Sequence, residues 1–97
     1  MKAVFIAYNQ ALTEAVNSIL DRHQIRGYTK WADVQGRGTD SGEPHFGSHT
    51  WPAMNSAIMA VIEEERVEPL LASLIKLNSK AEEQGLRAFV WNIEEMM

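Results

Sequence analysis

Residues 1–8 read MKAVFIAY and are apolar at almost every position. Such a run is typical of a strand covered on both faces, because successive side chains of a strand point to opposite sides. One side would carry Phe5 and Ala7, and the other Val4, Ile6 and Tyr8. Residues 54–62, MNSAIMAVI, repeat the pattern, with Ile58, Ala60 and Ile62 alternating with Ala57, Met59 and Val61. Both segments therefore predict strands with two apolar faces.

A helical pattern follows the first of these strands. Asn9 is predicted to cap a helix over about residues 10–24. Its buried face would carry Leu12, Ala15, Val16, Ile19 and Leu20, which recur at helical spacing. His23 would complement the helix dipole at the end of this helix. Gly27 is predicted to take a left-handed conformation that ends the turn and leads into a strand.

A second helical pattern follows the strand at 54–62. The acidic run at 63–65 would stand at its start, where the helix dipole favours negative charge. Pro69 would lie within the first turn, where its missing N–H is tolerated. The predicted buried stripe consists of Val67, Leu70, Leu71, Leu74 and Ile75. Gly85 would end or follow this helix.

Two further strands complete the chain, at residues 28–35 and 87–93. The element order is then βαββαβ, which predicts an α+β, ferredoxin-like fold with a four-stranded antiparallel sheet. Two helices cover only one face of such a sheet. Because the other face is also apolar, we expect a partner subunit to cover it, the alternative being a monomer with an open apolar face.

Length and composition define the class of protein. The 97 residues fit one domain, 1–97, and the hydrophobic and charged fractions of 45% and 23% are ordinary for a globular protein. The net charge of −4 argues against nucleic-acid binding. Without cysteine, thiolate metal sites and cysteine nucleophiles are excluded. No apolar run reaches the roughly 18 residues of a membrane span, so no membrane insertion and a cytoplasmic location are expected.

A long polar loop separates the second and third strands. Residues 35–52, QGRGTDSGEPHFGSHTWP, hold four glycines, two prolines and two histidines. At the start of this loop, residues 33–38, DVQGRG, resemble the loop base of the PII signal-transduction proteins, which typically read Glu-Val-x-Gly-x-Gly-Arg. VIEEERVEPLLASLIKL at 61–77 is similar to the family's third strand and second helix, and RAFVW at 87–91 to its last strand. The resemblance covers most of the chain.

The resemblance implies a homotrimer that senses a small ligand at clefts between subunits. The flexible loop, about residues 36–53, would then act on a target protein such as a transporter or an enzyme. Gly36, Arg37, Gly38 and Arg87 would contact the ligand, whose identity the sequence leaves unknown. The family's glycine-rich phosphate loop aligns with KAEEQGLR at 80–87, where only Gly85 remains. We therefore expect the usual ATP binding to be weak or absent.

Three further features of the loop bear on function. His45 and His49 could bind zinc or copper if the loop curls, with Asp40 or Glu43 as a third ligand, which makes a metal-binding or metal-tolerance protein the alternative hypothesis. Phe46 and Trp51 could anchor a target protein, because aromatic residues dominate interface hot spots. The loop has no tyrosine, so the tyrosine modification of some family members is not expected. Nothing in the pattern indicates an activated nucleophile, and we expect no enzyme activity.

Overall fold

The computed structural model describes residues 1–38, 40–50, 53–80 and 85–97. Its strands are β1 (Lys2–Asn9), β2 (Thr29–Val34), β3 (Asn55–Ile62) and β4 (Leu86–Asn92). Its helices are α1 (Thr13–Arg22) and α2 (Val67–Lys80), each preceded by a 3₁₀ turn, at Gln10–Leu12 and Glu64–Arg66. Within the described residues, neither helix has the length and apolar character that crossing a bilayer would demand.

The four strands form one antiparallel sheet in the order β2-β3-β1-β4. The central strand β1 pairs on one side with β3, where Ile6 lies opposite Ile58, and on the other with β4, where Phe5 lies opposite Phe89. This order, with two helices connecting the strands, confirms the predicted ferredoxin-like βαββαβ fold.

The core lies between the helices and one face of the sheet. The predicted set Val4, Ile6 and Tyr8 is buried there and packs in one cluster with residues from both helices. On α2, Leu70 and Leu74 belong to this cluster, and Val67 and Leu71 pack at its edge. The prediction for Ile75 is wrong: its side chain is 68% exposed. Leu71, Leu74 and Ile75 span more of the helix circumference than the sheet can cover, so the last of them points outward.

The ends of α1 agree with the sequence in part. The Asn9 side chain accepts a hydrogen bond from the Ala11 amide, as expected of a cap, although the first turn is 3₁₀. The left-handed residue after the helix is Gln24, with φ of 57°, and not Gly27. The chain turns before it reaches the glycine, because the Ile25 amide already bonds back to the Leu20 carbonyl.

His23 lies at the C-terminal cap of α1, as predicted, and it also connects the two helices. Its Nε2 lies 2.8 Å from the Ser73 hydroxyl on α2, while its carbonyl accepts a hydrogen bond from Arg66. The Arg66 guanidinium in turn pairs with Glu63 at 3.4 Å. The C-terminus of α1 is thereby fastened to the start of α2.

The helix-free face of the sheet carries a cluster of large aromatic side chains. Phe89, Trp91 and Trp31 are 57%, 45% and 45% exposed, and the rings of Phe5 and Trp31 lie 6.4 Å apart. The strand register pairs Trp91 with Ala3 and Trp31 with Ala57. The aromatic side chains therefore share one face of the sheet. A single chain thus exposes the apolar face that the sequence predicted.

The described part of the long loop folds back between the ends of β2 and β3. His45 pairs with Gly36 through two backbone hydrogen bonds, of 2.6 and 3.0 Å, and Phe46 pairs with Met54. The Gln35 side chain donates to the Phe46 carbonyl at 3.0 Å. Residues 45–46, called the inner segment below, therefore lie between the two stems of the loop and are attached to both.

Candidate functional site

A groove of about 700 Å³ crosses the helix-free face at the end of the sheet from which the long loop leaves. We call it the loop-base groove. It is lined by residues of all four strands and of the loop base: Phe5, Ala7, Trp31, Val34, Gln35, Gly36, Arg37, Gly38, His45, Asn55, Ala57, Gly85, Arg87 and Phe89.

The groove contains all four residues predicted to contact a ligand. Gly36, Arg37 and Gly38 lie at the loop base, and Arg87 enters from β4, opposite Ala7 of β1. Neither arginine forms an ion pair with an acidic residue in the part of the chain that the structure describes. Two guanidinium groups from distant parts of the sequence are thus available at one groove that also has apolar walls. This combination suits a small anion or an anionic ligand with a flat apolar part.

Asn55, the first residue of β3, organises the polar end of the groove. Its Oδ1 lies 2.6 Å from the Nδ1 of His45. Its amide nitrogen lies so close to Gly36 that a Cβ on that residue would be 2.5 Å away. A side chain at residue 36 would therefore displace the Asn55 amide, and the carbonyl and amide of Gly36 at the same time hold His45. The sequence interpretation missed Asn55; its only signal was a polar residue at the start of an apolar strand.

Gly85, directly before β4, also lies at the polar end of the groove. It has a φ of 75°, which favours glycine, and a Cβ there would lie 3.6 Å from Cε1 of His45. Its carbonyl accepts a hydrogen bond from the Asn9 amide at 3.2 Å. The two acidic residues before it, Glu82 and Glu83, lie outside the described residues.

A bulge in β2 sets the position of the loop base. Trp31 pairs with Ala57 and Val34 with Asn55, so β2 has one residue more than β3 between these pairs. The Ala32 carbonyl at the bulge accepts hydrogen bonds from the Ser56 hydroxyl at 2.5 Å and from the Gln10 side chain at 2.6 Å.

The side-chain amide of Gln10 also donates to the Asp33 carboxylate at 2.5 Å. The backbone amide of Gln10 donates to the Met54 carbonyl at 2.9 Å. It therefore connects the start of the first helical segment to both stems of the loop. The sequence interpretation placed Gln10 only at the start of a helix.

Replacing Gln10 by alanine should loosen the loop base. A typical hydrogen bond contributes about 0.5–1.5 kcal/mol, so we expect a loss of roughly 1 kcal/mol in the free energy of unfolding. Hydrogen exchange should become faster at residues 33–38. Gln10→Glu is the stricter variant, because its carboxylate would face the Asp33 carboxylate and the Ala32 carbonyl without a donor. Unchanged exchange at 33–38 in both variants would show that the bulge holds without Gln10.

The structure places the two histidines proposed as metal ligands in different surroundings. His45 is half-buried in the inner segment, with Nδ1 held by Asn55, whereas His49 is exposed and does not line the groove. In the described ranges, no three His, Asp or Glu residues gather into a group that could hold a metal ion. The metal hypothesis stays a prediction without a structural observation in its favour.

Of the two aromatic residues proposed for target binding, Phe46 lies among the described residues and Trp51 does not. Phe46 is 37% exposed on the inner segment. The role of both stays a prediction.

Comparison with known proteins identifies the family. The model of the family Nitrogen regulatory protein P-II matches residues 1–97, and the chain belongs to this family. None of the curated proteins matched the sequence.

Solved structures of PII-like proteins share the fold. CPII from Thiomonas intermedia K12, bound to ADP, AMP and bicarbonate, is 26% identical with a TM-score of 0.74, over 95% of this chain and 84% of that chain. The same protein bound to ADP and bicarbonate is 27% identical with a TM-score of 0.75, over the same shares. A candidate PII-like signalling protein from Thermus thermophilus is 23% identical with a TM-score of 0.65, over 95% of this chain and 85% of that chain, and supports the fold alone.

Proposed function

We propose that this chain is a non-enzymatic, trimeric regulatory protein that senses a small anionic ligand in the loop-base groove and reports through loop 36–53. The observation that carries the proposal is the meeting of Arg37 and Arg87, both without an acidic partner among the described residues, with Gly36 and Gly38 in one groove. Cations that converge without internal partners are suited to an external anion.

The location of the groove supports a site between subunits. It lies on the helix-free face, and the exposed rings of Phe89 and Trp31 form part of its lining. A second subunit that covered these rings would also border the groove and exclude water from it. Ionic hydrogen bonds to the ligand would then be stronger than in an open groove.

The chemistry of the groove narrows the ligand. Phe5 and Phe89 offer apolar surface to a planar group such as adenine, while the arginines offer donors to phosphate or carbonate oxygens. The CPII structures bound to ADP, AMP and bicarbonate make these ligands the first to test. We expect ATP to bind weakly, because the segment at 80–87 has one glycine where the family's phosphate loop has several.

The loop would transmit ligand binding in the groove to a target protein. His45 lines the groove, while its neighbour Phe46 is exposed and pairs with the second stem of the loop at Met54. A ligand that moves or fixes the inner segment would therefore change the exposed part of a loop that we propose to be flexible. Its target would be a transporter or an enzyme, with Phe46 and Trp51 as anchors.

Calorimetric titration with ADP, AMP and bicarbonate tests this proposal. We expect at least one of these ligands to bind, and Arg37→Ala or Arg87→Ala to weaken it by at least about tenfold, since an ionic hydrogen bond contributes about 1.5–3 kcal/mol. Arg26→Ala is the matched control, because Arg26 is exposed and does not line the groove. Failure of all three ligands to bind the wild-type protein would refute the proposed site, as would equal effects of the three substitutions.

A further inference from the structure

The hydrogen bond between His45 and Asn55 fixes which nitrogen of the imidazole carries a proton. The Asn55 Oδ1, 2.6 Å from Nδ1, is an acceptor only, so Nδ1 must donate. In the neutral imidazole the second nitrogen, Nε2, is then an acceptor with a free lone pair. The nitrogen of the Asn55 amide lies against Gly36, where an added Cβ would be 2.5 Å from it.

The second ring nitrogen, Nε2, is where a ligand in the groove would meet His45. His45 lines the loop-base groove, and its Cε1, the carbon between the two ring nitrogens, lies beside Gly85, where an added Cβ would be 3.6 Å away. Across the described residues, nothing forms a hydrogen bond to Nε2. A hydrogen-bond acceptor therefore lies at a groove whose charged side chains, Arg37 and Arg87, are donors only.

This arrangement discriminates between anions of similar size. Nitrate and acetate carry only acceptors, so they would satisfy the arginines but would set an oxygen lone pair against Nε2. A singly charged oxyanion with a hydroxyl group, such as hydrogencarbonate, offers acceptor oxygens to the arginines and one O–H donor to Nε2. A site built for a ligand hydroxyl rejects analogues that lack it, because its own polar group is then left unpaired.

We propose that His45, held by Asn55 as the Nδ1–H tautomer, is a specificity-determining residue that selects a hydroxyl-bearing oxyanion, with hydrogencarbonate as its simplest example. The inference rests on the proposed function, since it assumes that the groove binds an anion. It assigns His45 to ligand recognition and Asn55 to positioning His45.

The test compares anions on the full chain at pH 8, with and without ADP. By calorimetry, wild-type protein should bind hydrogencarbonate at least about tenfold more tightly than nitrate or acetate. His45→Ala should remove most of this preference, and Asn55→Ala should reduce it. His49→Ala is the matched control and should keep it, because His49 is exposed and lies outside the groove.

Nitrogen-15 spectra of labelled histidine give a second readout that does not depend on affinity. His45 should appear as the Nδ1–H tautomer in the wild type and shift toward the Nε2–H tautomer in Asn55→Ala, with the dispersion of the amide spectrum showing that the variant is folded.

The outcomes separate the two claims. Binding of no anion by the wild type overturns the proposed function and this inference together. Binding of hydrogencarbonate with no preference over nitrate, or with a preference that His45→Ala retains, overturns this inference alone. An Nε2–H tautomer in the wild type overturns the role given to Asn55.

Discussion

Phe89→Glu is expected to convert the proposed trimer into monomers. Phe89 is 57% exposed on the helix-free face, lies directly opposite Phe5 and lines part of the loop-base groove. If a second subunit covers this face, the variant places an unpaired carboxylate in an apolar interface, where the loss of hydration costs several kcal/mol. Light scattering at micromolar concentration should give about three times the chain mass of 10.9 kDa for the wild type and the single mass for the variant.

Ile75→Glu provides the matched control for this experiment. Ile75 is also a large apolar residue, 68% exposed, but it lies on α2, on the opposite side of the sheet. We expect this variant to remain trimeric. A wild-type protein that is monomeric at these concentrations would contradict the assembly, and a Phe89→Glu trimer would show that subunits associate through another surface.

Leu74→Ala is expected to destabilise the protein severely, whereas Ile75→Ala, at the next position, should leave stability nearly unchanged. Leu74 is 2% exposed and lies in the core cluster. Truncating a buried leucine typically costs about 2–5 kcal/mol, through the lost burial and the cavity that remains. For a domain whose total stability is about 5–15 kcal/mol this is a large fraction. Substitutions at exposed positions such as Ile75 typically change stability by less than about 0.5 kcal/mol.

Urea unfolding of both variants at one fixed protein concentration measures this difference, because the stability of an oligomer depends on concentration. The comparison is sharp because the helical pattern alone assigned both residues to the buried stripe. Equal losses for the two variants would mean that Ile75 is covered, for example by another chain, and would reopen the assignment of its face.

Much of the fold is local information and could be predicted from the sequence. The alternation in residues 1–8 and 54–62 identified the central strands, and Asn9 identified the start of the first helical segment. The errors arise where tertiary packing decides. Nothing in the spacing of the apolar residues on α2 shows that the sheet cannot reach Ile75, and the position of the left-handed residue depends on where Ile25 enters the core.

The residues of the candidate site could likewise be predicted only in part. Gly36, Arg37, Gly38 and Arg87 followed from a motif resemblance, and the structure brings them to one groove. Asn55 could not be assigned, because its role depends on contacts with residues far away in the sequence. His45 was selected for a different chemistry, since the sequence does not show that the loop returns between its own stems. Hydrogen-bond partners of this kind become visible only once the strand ends are placed in three dimensions.

The extra residue in β2 changes the face of the sheet on which the following side chains lie. In a regular strand, Trp31 and Asp33 would share a face, and Val34 would point toward the helices. With the bulge, Trp31 and Val34 both border the groove, so every position after the bulge has exchanged sides. Removing one residue at Ala32 would therefore leave each side chain of the loop base chemically intact but turn it to the opposite side. The lining of the loop-base groove thus depends on the number of residues in one strand as much as on the identity of its arginines.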